Sequence, residues 1–292
     1  MNGNHQMFRP PSEARSLIIR VADGCPHNSC TFCGMYKGVR YRAHPRNEVL
    51  RSIKTAADSW PDAERIFLAD GDVMALPFED LQFIASELCD RFPNLARVNL
   101  YANGRSICAK TDEELSALKR LKLQTLYMGL ESGDDAILSA VGKKDTAAAM
   151  IDGARRAQSC GLRMSVMILI GLGGHHDSKA HAIATADVVN KMQPRFLAGL
   201  RYIPVPGTPL YKQIETGDFT VITEHEATVE MREIINRLEL SRTIFRANHV
   251  SNIVPLAGRF PKDKDRLLDD LDRLLASGHL DQDTAGPAPY TL

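Results

Sequence analysis

The strongest constraint on the fold is a repeated alternation of two hydrophobic periods. Short apolar, β-branched runs at 16–21, 65–68, 97–101, 125–130, 163–170 and 196–203 are each followed by a turn and, in most cases, by helical spacing. Runs of this length read as strands buried on both faces. Helical spacing covers 46–59, 78–92, 146–160 and 178–192, and Thr111 with Glu114 has the spacing of a capping box. Gly161 follows the 146–160 helix in the C′ position. Six strand-then-helix units with short connections imply a parallel sheet with right-handed crossovers. The expected fold is therefore α/β, a partial (β/α)6 TIM-like barrel, whose working loops lie at the C-terminal ends of the strands. Beyond Gly207 the pattern turns mostly helical, over 223–240 and 262–277. This divides the chain into an N-terminal arm (1–15), a barrel (16–210) and a helical C-terminal extension (211–292).

The first strand runs directly into Gly24-Cys25-Pro26-His27-Asn28-Ser29-Cys30-Thr31-Phe32-Cys33-Gly34, whereas Cys89, Cys108 and Cys160 are scattered singly. Thiolates are soft ligands that suit zinc, copper(I) or iron–sulfur clusters. Three ligands from one loop leave one site of a four-iron cluster open, and an open coordination position usually belongs to chemistry. From the loop alone, a zinc site completed by His27 or a distant residue also stands, as do buried thiols without metal. Residues 1–7 carry no signal-peptide core. The longest apolar run, 166–170, is far too short to cross a bilayer. A cysteine cluster without a secretion signal argues for metal ligation in a reducing compartment, and so for the cytoplasm. Lys+Arg and Asp+Glu balance at 36 each, so no global charge draws the chain to nucleic acid or an anionic membrane.

Three further stretches follow in order: Gly129-Leu-Glu-Ser-Gly133 with Leu138-Ser-Ala-Val-Gly-Lys143, then Ile170-Gly-Leu-Gly-Gly174, then Pro204-Val-Pro-Gly-Thr-Pro-Leu210. With the cysteine loop they resemble the radical S-adenosylmethionine (SAM) superfamily over about 16–210. The similar branch includes Elongator subunit 3, the methylthiotransferases and oxygen-independent coproporphyrinogen oxidase. Two departures stand out: four residues separate the first two cysteines where three are commonest, and Asp70-Gly71-Asp72 stands where many members have Gly-Gly-Glu. The resemblance implies an enzyme, an oxidoreductase or transferase, in which Cys25, Cys30 and Cys33 hold a [4Fe–4S] cluster and SAM chelates the fourth iron. Reductive cleavage of SAM to a 5′-deoxyadenosyl radical and hydrogen abstraction from an organic substrate would follow. It further implies that Phe32 shields the cluster, that Gly71 and Asp72 meet the SAM ammonium, and that Glu131 meets its ribose or amine. Lys143 would meet the carboxylate, and Ile170 and Tyr202 would line the adenine.

Candidates for substrate contact come from the residues themselves. Asn99 and Tyr101 share one face of the third strand, and Arg201 lies on the sixth. Arg242, Arg246 and His249 would share a face if the 223–240 helix continues that far; the plainer reading is a basic helix end. The expected substrate is a small, anionic organic molecule, with a one-electron donor such as flavodoxin or ferredoxin as partner; neither membrane nor nucleic acid is expected. An RNA-modifying member of the same superfamily is the alternative, and a non-catalytic zinc-binding module is the rival from another class.

Overall fold

The structure, a computed structural model, describes residues 7–286; the polar start at 1–6 and the end of the tail, 287–292, lie outside the described residues. The chain begins with β1 (Leu17–Arg20), the small hairpin β2 (Ala22–Asp23) and β3 (Arg42–Ala43), and α1 (Arg46–Ser59). It continues with β4 (Arg65–Ala69), α2 (Phe78–Arg91), β5 (Arg97–Tyr101), α3 (Gly104–Cys108), α4 (Asp112–Arg120) and β6 (Leu123–Glu131). Next come α5 (Asp135–Ala140), α6 (Ala147–Ser159), β7 (Arg163–Ile170), α7 (Gly174–Met192) and β8 (Phe196–Arg201). Last are α8 (Pro209–Thr216), α9 (Glu224–Arg237), β9 (Ile244–Ala247), β10 (Leu256–Arg259) and α10 (Lys264–Ala276). All six expected strands are present. The described residues form two compact units, 7–28 with 35–128 and 152–164, and 29–34 with 129–151 and 165–286.

In the first unit β1 pairs in parallel with β4, β4 with β5 and β5 with β6, in the registers Ile18↔Phe67, Phe67↔Asn99 and Tyr101↔Tyr127. Helix α1 buries Val49, Ile53 and Ala56, spaced four and three apart on one face. Ile66, Phe67, Phe92 and Leu100 are fully buried, each side chain contributing about 1.5–3 kcal/mol. Helix α4 opens with the expected capping box, Thr111 accepting from the Glu114 amide while Glu114 accepts from the Thr111 amide. The N-terminal arm ends in a short turn, Pro11–Glu13, that buries the Glu13 carboxylate. There it accepts hydrogen bonds from Asn99 (2.8 Å), the Tyr127 hydroxyl (2.5 Å) and Ser16 (2.5 Å), so a buried charge is fully partnered.

In the second unit β7 pairs in parallel with β8 and β8 with β9, while β10 returns antiparallel to β9. Helix α7 contacts α9, and α9 contacts α10. The C-terminal extension is thus not wholly helical. Helix α9 stops at Arg237, because Leu238 turns extended (ψ 125°). The run from Thr243 to Ala247 then alternates buried and more exposed positions, the period of a strand. Arg242, Arg246 and His249 therefore share no helical face. Arg246 stands exposed on β9 with Arg242 exposed just before it, and His249 lies beyond the strand with Nδ1 2.9 Å from the Ser251 hydroxyl.

Candidate active site

The cysteine loop contributes Cys25 to the first unit and Cys30, Phe32 and Cys33 to the second; all three cysteines are half-buried. At the end of β4 the backbone of Gly71 lies flat against Cys25. A Cβ on Gly71 would overlap the Cys25 Cβ and stand only 2.7 Å from its Cα and 2.9 Å from its Sγ. The Gly71 amide donates to the Gly24 carbonyl at 3.0 Å, which fixes the approach. Glycine is thus required here by the first cysteine itself. Beside it the Asp72 side chain, fully enclosed, accepts from Asn103 Nδ2 (3.1 Å) and Ser106 Oγ (2.9 Å), and lies 3.2 Å from His27 Nε2. Asp72 therefore braces the loop at His27, which the sequence alone did not show. The Tyr41 phenol is pushed up by burial, then by the charges of Asp72 and Cys25.

In the second unit the segment carrying Cys30 and Cys33 is tied down by backbone bonds. The Thr31 amide donates to Val141 (2.8 Å), Ser29 Oγ to Gly142 (2.9 Å), and Thr31 accepts from the Leu210 amide (3.0 Å). Phe32 packs on an apolar cluster of Ile137, Val141, Leu172, Tyr202 and Leu210. Within it Tyr202 is 4% exposed, its hydroxyl has no hydrogen-bond partner among the described residues, and burial pushes the phenol up to about 12. A buried hydroxyl left unsatisfied calls for an explanation, and a polar group of a bound ligand would supply one. Ile170 is buried at the end of the neighbouring β7.

Glu131 closes β6 at φ +63°, a left-handed conformation that costs of order 1–3 kcal/mol for a side chain of this kind. Its carboxylate folds back over Gly129, where any Cβ would overlap Oε1. Burial pushes this carboxyl up, and Lys143 Nζ, 3.9 Å away, draws it down. Both side chains remain slightly exposed, at 17% and 9%. The sequence motif thus brings Glu131 and Lys143 together as an ion pair at a strand end.

Of the substrate candidates, Asn99 serves the fold. Its Oδ1 takes the Thr125 amide (2.8 Å) at a shift in the β5–β6 register, and its Nδ2 holds Glu13. Tyr101 packs edge-on against Phe67 and Tyr127, and burial raises its phenol well above the usual range. Arg201, 8% exposed at the end of β8, donates to the carbonyls of Ser251 (2.7 Å) and Ala285, and burial lowers it. Two residues outside the expected set carry weight. His181 on α7 and Glu230 on α9 are wholly enclosed, with Nδ1 3.0 Å from Glu230 Oε1. The sequence signal for Glu230 is a glutamate inside the apolar stripe Ala227, Met231, Ile234 of α9.

The model of the radical SAM superfamily matches residues 19–186, more than half of the chain. An uncharacterized methyltransferase of Pyrococcus horikoshii is 24% identical over 201 residues, 67% of this chain and 41% of that protein. The chain therefore spans about two fifths of the length of that curated relative. Among solved structures, the radical SAM methyltransferase TsrM of Kitasatospora setae, with cobalamin and a [4Fe–4S] cluster bound, is similar with a TM-score of 0.56. It is 17% identical, over 69% of this chain and 39% of that one. The archaeal Elp3 of Methanocaldococcus infernus is similar with a TM-score of 0.55 at 11% identity, over 89% of this chain and 63% of that one. These likenesses bear out the α/β partial-barrel fold. With strand ends, cysteine loop and motifs in this order, the chain belongs to the radical SAM superfamily.

Proposed function

We propose that this chain is a cytoplasmic radical SAM enzyme acting on a small anionic organic substrate, with residues 16–210 holding the cofactors and 211–292 completing the site. The observation that carries the reading is Gly71, whose missing side chain makes room for Cys25. A thiol seated this tightly against a strand end, with two more thiols five and eight residues on, is a donor set suited to a [4Fe–4S] cluster. Bound there, cluster and SAM supply reductive cleavage of the sulfonium and hydrogen abstraction from substrate. The protein's own part is to hold and enclose. Cys25, Cys30 and Cys33 ligate, and Phe32 with the apolar cluster around Tyr202 keeps water from the adenosyl end. Glu131 and Lys143, paired at the end of β6, take the polar end of SAM, the lysine meeting its carboxylate. Arg201 favours an anionic substrate, since its buried guanidinium meets only carbonyls and has no carboxylate within 4 Å among the described residues. A flavodoxin- or ferredoxin-like protein would deliver the electron. The balanced charge disfavours RNA as substrate.

Methyl transfer is the second reading for the net reaction, favoured by the name methyltransferase on two of the matched proteins. The test of the main reading is direct. The anaerobically reconstituted chain, given SAM and a strong one-electron reductant without substrate, should slowly release 5′-deoxyadenosine and methionine. An iron-loaded protein that leaves SAM intact would sink it. In the same assay Glu131→Ala should keep its iron but bind SAM roughly 10- to 150-fold more weakly, the effect of losing a charged hydrogen bond. Lys143→Ala should act in the same direction; unchanged SAM binding in both variants would remove these roles.

A further inference from the structure

We infer that Glu230, with His181, is a positioning residue that holds two strand-end turns of the SAM site in place from the C-terminal helix α9. This rests on the reading that the ends of β6 and β7 take SAM. One carboxylate gathers three donors: the Gly171 amide (2.7 Å), the Ser178 hydroxyl (2.5 Å) and the His181 ring, Nδ1 at 3.0 Å. The other ring nitrogen, Nε2, lies 3.3 Å from the backbone carbonyl of Glu131. Gly171 is the first residue beyond β7 and stands at φ +85°; Glu131 ends β6 at φ +63°. One left-handed turn is therefore hydrogen-bonded to the Glu230 carboxylate, and the other lies against the imidazole that this carboxylate holds.

The arrangement cannot be replaced by solvent. His181 and Glu230 both have 0% side-chain exposure, so a donor or acceptor released here finds no water and bears its full desolvation cost. Glu230 is wholly enclosed and meets three protein donors, and so acts through the turns rather than on the ligand. Glu131 is held at a strained φ, and such a conformation persists only when surrounding contacts over-determine it. His181 supplies one such contact, at the backbone carbonyl, whereas Lys143 meets the carboxylate. Helix α9 lies past residue 207, outside the four sequence motifs. The C-terminal segment thereby takes part in the cofactor site.

The experiment uses the full chain, reconstituted anaerobically, as parent, Glu230→Gln and Glu230→Ala. Iron content, the dissociation constant for SAM, the change that SAM produces in the electron paramagnetic resonance spectrum of the reduced cluster, and amide exchange are read on each. Positioning predicts full iron, with SAM bound about tenfold more weakly in Glu230→Ala. Glu230→Gln, which keeps an acceptor for the Gly171 amide, should fall between that and the parent. Amide exchange should quicken in peptides covering 129–134 and 170–174 before SAM is added, while the 46–59 helix is unchanged. Should Glu230→Ala fail to fold, the near-isosteric Gln variant carries the test alone. Variants that bind SAM within about twofold of the parent, with exchange at both turns unaltered, overturn the proposal. A parent that loads iron yet binds no SAM overturns the functional reading beneath it, and is told apart by that result.

Discussion

Replacing Cys30 by alanine is expected to empty the protein of iron, from about four atoms per chain to less than about one. A four-iron cluster with one site given to SAM has three protein ligands, and two thiolates leave two irons without any. Cys89 and Cys108 are poorly suited to stand in. Cys108 lies beside Asp152 (3.2 Å), and burial together with that carboxylate pushes its thiol up to about 11. Cys89 is likewise raised by burial and donates to the Leu121 carbonyl. A thiol that resists deprotonation is a poor metal ligand. Cys89→Ala and Cys108→Ala should therefore load iron as the parent does. Iron and acid-labile sulfide, measured on folded protein, decide it: a full complement in Cys30→Ala would refute the ligand assignment.

Gly71→Ala is expected to have the next largest effect, and by a different route. The new methyl group would overlap the Cys25 Cβ, with Cα and Sγ at 2.7 and 2.9 Å from it. Both sides of the contact are backbone-anchored, since the Gly71 amide is bonded to the Gly24 carbonyl. Nothing flexible can yield, so the strain of an overpacked site, about 1–3 kcal/mol, falls on the seat of the first cysteine. The fold should survive, because that strain is smaller than the stability of a domain of this size. Iron loading should fall severalfold, and SAM cleavage with it. A variant that folds, loads fully and cleaves SAM at the parent rate would show that Cys25 does not need this seat.

Much of this protein follows from its sequence because the signals are local. The six strands, the cap at Thr111 and the Gly161 helix end are each set by neighbours a few residues away. The cysteine loop is legible for the same reason: its donors are contiguous. The stretch from Thr243 to Ala247 misleads because basic residues at four-residue spacing suit a helix face, while its buried alternation, visible only once packed, makes it β9. Asn99 misleads in another way. A polar residue on a buried strand invites a ligand, yet Glu13, 86 residues earlier, is its partner.

The polar partnerships around the site are what only the tertiary structure decided. Asp72 reaches His27 across 45 residues, and His181 meets Glu230 across 49 and the Glu131 carbonyl across 50. Apolar periodicity specifies which face of an element is buried, but any of several buried polar groups could satisfy a given donor. The choice falls to distances that exist only after α7 and α9 have packed. The sequence by itself determined the strands, the grouping of three thiols in one loop and the superfamily; packing decided which carboxylates lie beside them.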